Sequence, residues 1–128
     1  MMSTALFFIT HPGIASSLLE VAEAIIKKSS SNLAWHEVPM DASLEEMADD
    51  IEKKIKELDK ADGIIFITDI YGSTPSNTAQ RLADKYAATL ISGINLPMMI
   101  RLLNYRCEPE NTLIDKAVDG GHSGIEQH

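Results

Sequence analysis

The stretch GIIFITDIYGSTPSNTA, residues 63–79, decides the fold of this chain. Its opening, GIIFIT, is apolar on both faces, which suits the buried middle of a parallel sheet and not a half-wet antiparallel one. Asp69 breaks the run, and the turn Tyr71-Gly72-Ser73-Thr74 leads to Pro75. Proline suits the first position of a helix, where no amide donor is needed, and Thr74 suits the N-cap. Ala79, Leu82, Ala83 and Tyr86 then recur at helical spacing. A buried strand passing through a short turn into a helix is half of a βαβ unit.

Working outward, the same grammar recurs. ALFFIT (5–10) is a second continuous apolar run, followed by His11-Pro12-Gly13 and by Ile14, Leu18, Val21, Ala22 and Ile25 as one helical face. Ser29 to Asn32 reads as a loop. LAWHEVP (33–39) is a weaker, more polar strand that suits a sheet edge. Ser43 and Glu46 form a capping box for a helix whose stripe is Leu44, Met47, Ala48, Ile51, Ile55 and Leu58. ATLISGI (88–94) is the fourth strand, a helix runs from about Pro97, and Leu113, Ile114, Ala117 and Val118 mark one more, which the Gly120-Gly121 pair should end. The expected fold class is α/β: one domain over 1–128, with a three-layer, doubly wound, mainly parallel sheet and helices on both faces.

With 128 residues, 45% of them apolar, the chain can bury a real core. A formal charge of −8 offers no basic face for nucleic acid or for an anionic membrane. Cys107 is the single cysteine, so no intrachain disulfide can form and a reducing compartment is the simple reading. No basic-then-apolar leader opens the chain, and no run reaches the ~20 apolar residues that span a bilayer. The expected location is cytoplasmic, without membrane insertion.

In a doubly wound sheet the carboxyl ends of the parallel strands share one edge, where ligands bind. If the strands at 5–10 and 63–68 are neighbours, His11 and Asp69 arrive there side by side. A carboxylate on one imidazole nitrogen fixes tautomer and ring orientation and leaves the other nitrogen as a nucleophile near neutral pH. Pro12 favours an extended His11, and Gly13 allows close approach of a ligand. The helix start after Asp69 offers free N–H groups and a positive dipole end, and Gly72, Ser73 and Thr74 give it room and hydroxyl donors for an anion. A nucleophilic nitrogen facing such a cradle points to phosphoryl transfer onto His11, which needs mainly positioning and charge stabilisation. No acidic cluster suggests Mg²⁺, so neither metal nor cofactor is expected. His36 reads as a packing residue, His122 and His128 as solvated in a polar tail, and Met98 and Met99 as core or interface filler. No histidine stands beside Cys107 in the sequence, and a nucleophilic role is not expected of it.

The segments FFITHPGIASSLLEVAEAI, GIIFITDIYGSTPSNTA and LISGINLPMMIRLL resemble the IIA component of the mannose-type sugar phosphotransferase system. The likeness runs from Ala5 to Gly120 and rests on two specific motifs, Asp69 to Asn77 and Gly93-x-Asn95-x-Pro97-Met98. It implies that His11 takes a phosphoryl group from the phosphocarrier protein HPr and passes it to a separate IIB component. It further implies that Asp69 holds Nδ1 so that Nε2 carries the phosphate, with Gly72, Ser73 and Thr74 lining the phosphate turn. The strand order implied is 2-1-3-4, with an extra antiparallel edge strand in members that exchange a C-terminal strand in homodimers. Pro12 stands where glycine is common in the family, Tyr71 where tryptophan is, and Ser73 where glycine is. After Gly121 only His-Ser-Gly-Ile-Glu-Gln-His follows, short for an exchanged strand.

Two other roles fit the same residues: the phosphoryl-donor subunit of a dihydroxyacetone kinase, and a regulatory phosphohistidine module that senses phosphotransferase flux without feeding a transporter. A two-component receiver domain does not fit, since Thr10-His11-Pro12 stands where that domain needs an acidic pair.

Overall fold

The computed structural model describes residues 3–128. Nine elements follow in order: β1 (Ala5–Thr10), α1 (Ile14–Ile26), β2 (Leu33–Glu37), α2 (Leu44–Lys56), β3 (Ile64–Thr68), α3 (Thr74–Lys85), β4 (Thr89–Ile91), α4 (Leu96–Asn104) and α5 (Glu110–Ser123). The strands pair in the order β2-β1-β3-β4, all parallel. The more polar β2 lies at one edge, as its composition requires. Among the described residues the sheet has no antiparallel strand.

Alternation along β1 and β3 explains the three layers. Leu6, Phe8, Ile65 and Ile67 point into one core with Ala15, Leu19 and Ala22 of α1, Met99 and Leu102 of α4, and Leu113 and Ala117 of α5. Phe7, Ile9, Ile64 and Phe66 point into the other with Met47, Ile51 and Ile55 of α2 and Ala79, Leu82 and Ala83 of α3. Each strand residue therefore serves one face only, as the two-residue repeat of a strand dictates. Phe7 and Phe66 are direct cross-strand partners and meet edge to face, ring centres 6.0 Å apart.

Two expectations are corrected. The face of α1 is shifted in part from the one expected: Ala22 is buried and Leu18 packs against the core as expected, but Ala15 and Leu19 join them while Val21 and Ile25 are exposed. The helix phase is set by bonds from its first turn to Thr10 and Glu37, and the small alanines then lie against the sheet. Nor does Gly120-Gly121 end the last helix, which runs on to Ser123 and includes His122. The glycines serve packing instead: a Cβ on Gly120 would come within 2.3 Å of Arg101 Cγ on α4. A glycine that would stop an isolated helix is kept where a second helix needs its surface.

Arg106 is a buried cation that sequence reading passed over. Its guanidinium donates to the carbonyls of Thr4, Ser31 and Asn32 and to Ser3 Oγ, tying together the residues that precede β1 and β2.

Candidate active site

His11 follows the last residue of β1 and Asp69 follows the last residue of β3, and these strands are hydrogen-bonded neighbours with Ile9 opposite Thr68. The two side chains meet. His11 Nδ1 lies 2.7 Å from Asp69 Oδ2, and the His11 backbone N–H donates to the same oxygen at 2.9 Å. The other carboxylate oxygen accepts from the Ile70 N–H at 2.9 Å and the Thr68 hydroxyl at 3.3 Å. Burial alone would raise the Asp69 pKa, but the N–H of His11, its ring and the N–H of Ile70 outweigh it and hold the carboxyl below its ordinary range. With Asp69 ionised, Nδ1 is the ring nitrogen that carries the shared proton, and Nε2 takes no hydrogen bond from the described residues. The His11 side chain is 31% exposed and Asp69 only 9%, so the imidazole can be reached from solvent and the carboxylate cannot.

Thr10 completes the support of His11. Its hydroxyl donates to the His11 carbonyl at 2.9 Å and accepts from the Ala15 N–H at 3.1 Å. Gly13 (φ 81°) and Gly72 (φ 90°) both sit in the left-handed region. No atom lies within 4 Å of a Cβ built at either, so glycine is required there by backbone conformation and not by crowding.

The turn after Asp69 differs in one detail from expectation. Ser73, not Thr74, is the N-cap of α3: its backbone is extended and its hydroxyl accepts from the Ser76 N–H. The Ser73 hydroxyl also donates to the Ile70 carbonyl at 2.8 Å, and the Gly72 N–H donates to the buried Ser76 hydroxyl at 3.2 Å. Two of the three residues expected to hold phosphate thus spend these donors on the turn itself. Thr74, shifted into the first helical position, keeps its N–H and hydroxyl unused among the described residues. It shares a shallow crevice of about 60 Å³ with His11, Val38, Pro39, Met40 and Pro75.

Sequence reading missed three kinds of residue here. Thr10 and Ser76 looked like ordinary strand and helix positions, since their bonds appear only once the turns are built. Glu37 looked like an edge-strand polar residue, although its hydroxyl and N–H partners lie on α1. Met40, Ile70 and Tyr71 are large apolar side chains left exposed on the loops bordering the site. His36, half-buried on the opposite face of β2, meets Asp50 and Lys54 of α2 and has no part in the site.

The chain was compared with known proteins. The EIIA-man family model, described as "PTS system fructose IIA component", matches residues 5–118. The "PTS system mannose-specific EIIAB component" of Escherichia coli (strain K12) is 28% identical over 127 residues, covering 97% of this chain and 39% of that protein. The same description, identity and coverage hold for the protein of Shigella flexneri. The chain therefore spans about two-fifths of the length of these curated relatives. Among solved structures, the "Mannose/sorbose specific IIA subunit of phosphotransferase system from Enterococcus faecalis" superposes with a TM-score of 0.85 at 20% identity, covering 99% of this chain and 96% of that one. A putative phosphoenolpyruvate-dependent sugar phosphotransferase system permease from Klebsiella pneumoniae superposes with a TM-score of 0.76 at 26% identity, covering 98% and 91%. No helix among the described residues is long and apolar enough to cross a membrane.

Proposed function

The chain belongs to the EIIA-man family of phosphotransferase-system IIA components, and on that footing we propose that His11 accepts a phosphoryl group from HPr and hands it to a IIB component. The observation that carries this reading is the 2.7 Å contact between His11 Nδ1 and Asp69 Oδ2, on a histidine side chain that is partly exposed.

The chemistry follows from that contact. Nε2 attacks phosphorus as the bond from phosphorus to the donor breaks, and the proton stays on Nδ1. The ring then carries a phosphoryl group on one nitrogen and a proton on the other, so it is cationic, and Asp69 offsets that charge. The transferring oxygens find the Thr74 N–H and hydroxyl at the positive end of α3. Transfer of this kind needs alignment and charge stabilisation more than covalent help. Onward transfer is the reverse process with IIB as acceptor.

The same reading makes residues 1–128 one domain that works in the cytoplasm as a homodimer. Its curated relatives are described as sugar-system components, which favours transport over the dihydroxyacetone-kinase and flux-sensing roles. The test is a transfer assay: chain loaded with labelled phosphate through HPr, then mixed with candidate IIB proteins from the same cell. Label should leave this chain for one IIB partner. Retention of label with every IIB partner would refute the transport role.

A further inference from the structure

Two helices begin beside His11, and they differ in what their opening donors do. The first N–H groups of α1 are all taken. Ile14 donates to the His11 carbonyl and Ala15 to the Thr10 hydroxyl. The Ser16 N–H donates to the Glu37 carboxylate at 2.9 Å, the Ser16 hydroxyl donates to the same oxygen at 2.6 Å, and the Gly13 backbone N–H also serves this carboxylate. At α3, by contrast, the Thr74 N–H and hydroxyl stay open.

Glu37 is well placed for this. It pairs with Thr10 across the β2–β1 register, one residue before His11. Its neighbour His36 faces α2, so strand alternation turns Glu37 to the α1 side. Burial would raise its pKa, but the Ser16 hydroxyl and N–H, the Gly13 N–H and the charge of Lys54 outweigh that and keep the carboxyl below its ordinary range. A carboxylate in this position uses the same donors and the same dipole end that would otherwise draw phosphoryl oxygens.

We propose that Glu37 is a positioning residue for the phosphoryl transfer: a resident anion that closes the α1 N-terminus and confines the incoming oxygens to Thr74 and α3. The inference rests on the function proposed above. With α1 closed, the phosphoryl group has one seat beside Nε2. With α1 open, two helix ends compete for its oxygens and the group spends part of its time off the line of attack.

The experiment titrates the full chain with inorganic phosphate and follows backbone amide shifts. In the unsubstituted chain the Thr74 amide should move while Gly13 and Ser16 stay still. In Glu37→Ala the Gly13 and Ser16 amides should begin to respond. Glu37→Gln, which preserves side-chain shape, should show the same new response more weakly and covers the case in which the alanine variant does not fold. Silence at Thr74 in the unsubstituted chain, a response of Gly13 or Ser16 there, or no new response in a folded variant overturns the proposal. A second readout is onward transfer from the loaded chain, which Glu37→Gln should slow roughly two- to fivefold, the scale of one helix-end charge interaction. Failure of HPr to load the unsubstituted chain sinks the functional reading and the positioning role with it, while the amide titration still decides whether Glu37 closes the α1 N-terminus. A chain that loads normally but whose variants stay silent at α1 sinks this inference alone.

Discussion

Asp69 Oδ2 accepts two hydrogen bonds from one residue, the ring Nδ1–H and the backbone N–H of His11, at 2.7 and 2.9 Å. One carboxylate oxygen therefore fixes both the tautomer of the imidazole and the position of the chain that carries it. Asp69→Asn keeps the shape but can present its NH₂ to Nδ1, which favours the wrong tautomer and puts the proton on Nε2. We expect phosphoryl acceptance to fall by roughly 10² to 10⁴, by analogy with carboxylate-to-amide changes in other His–Asp pairs. Rapid-quench kinetics on a variant with an unchanged circular dichroism spectrum checks this, and a rate near that of the unsubstituted chain would show that the pair has no role in transfer.

Ser73 and Thr74 should separate cleanly. Ser73→Ala removes the N-cap of α3 and should cost about 1 kcal/mol of stability in urea unfolding, with little effect on transfer. Thr74→Val removes an exposed hydroxyl that the fold does not use. It should leave stability within about 0.5 kcal/mol and slow transfer roughly ten- to hundredfold, the value of one hydrogen bond to a charged group. A variant pair with these effects exchanged would reverse the assignment of cap and phosphate donor.

His36 predicts a pH dependence unrelated to the active site. Its pKa is lowered by burial first and by Lys54 second, against the opposing pull of Asp50. The folded state therefore holds it neutral while the unfolded chain, with an ordinary value near 6.5, takes up a proton. Its contribution to stability is present above about pH 6.5 and is lost as pH falls toward the folded pKa. The urea midpoint should drop as pH falls below about 6.5, and less so in His36→Gln. Identical slopes for the two proteins would contradict the shift.

Gly120 predicts a packing effect. Gly120→Val gains helix propensity but drives side-chain atoms into Arg101 across α4 and α5. Overpacking of this kind costs about 1–3 kcal/mol, so net destabilisation by urea unfolding is expected. A more stable variant would show that the two helices are free to separate.

Much of this was legible in the sequence because the strongest signals are local. The unbroken apolar runs ALFFIT and IIFIT admit only a doubly buried strand, and each stops at a residue of different chemistry, His11 or Asp69. Parallel pairing then puts those two residues at one edge. What escaped was decided by turn geometry and by contacts that exist only once the chain is folded. The phase of α1 follows from Thr10 and Glu37 gripping its first turn, which no periodicity reports. The persistence of α5 through two glycines follows from α4 lying against them. Ser73 took the cap from Thr74 because both residues are good caps, and only the backbone of the turn distinguishes them. Arg106 reads as a surface cation until the three carbonyls it binds are brought together.

The central claim is that the imidazole of His11, held through Nδ1, reacts through Nε2. Nitrogen-15 and phosphorus-31 NMR of histidine-labelled chain, after incubation with phosphoenolpyruvate, the upstream kinase and HPr, tests it most directly. The account predicts one acid-labile phosphoryl group, bonded to Nε2 of His11 and absent from His11→Ala. Phosphate on Nδ1, or on any other residue, would contradict it.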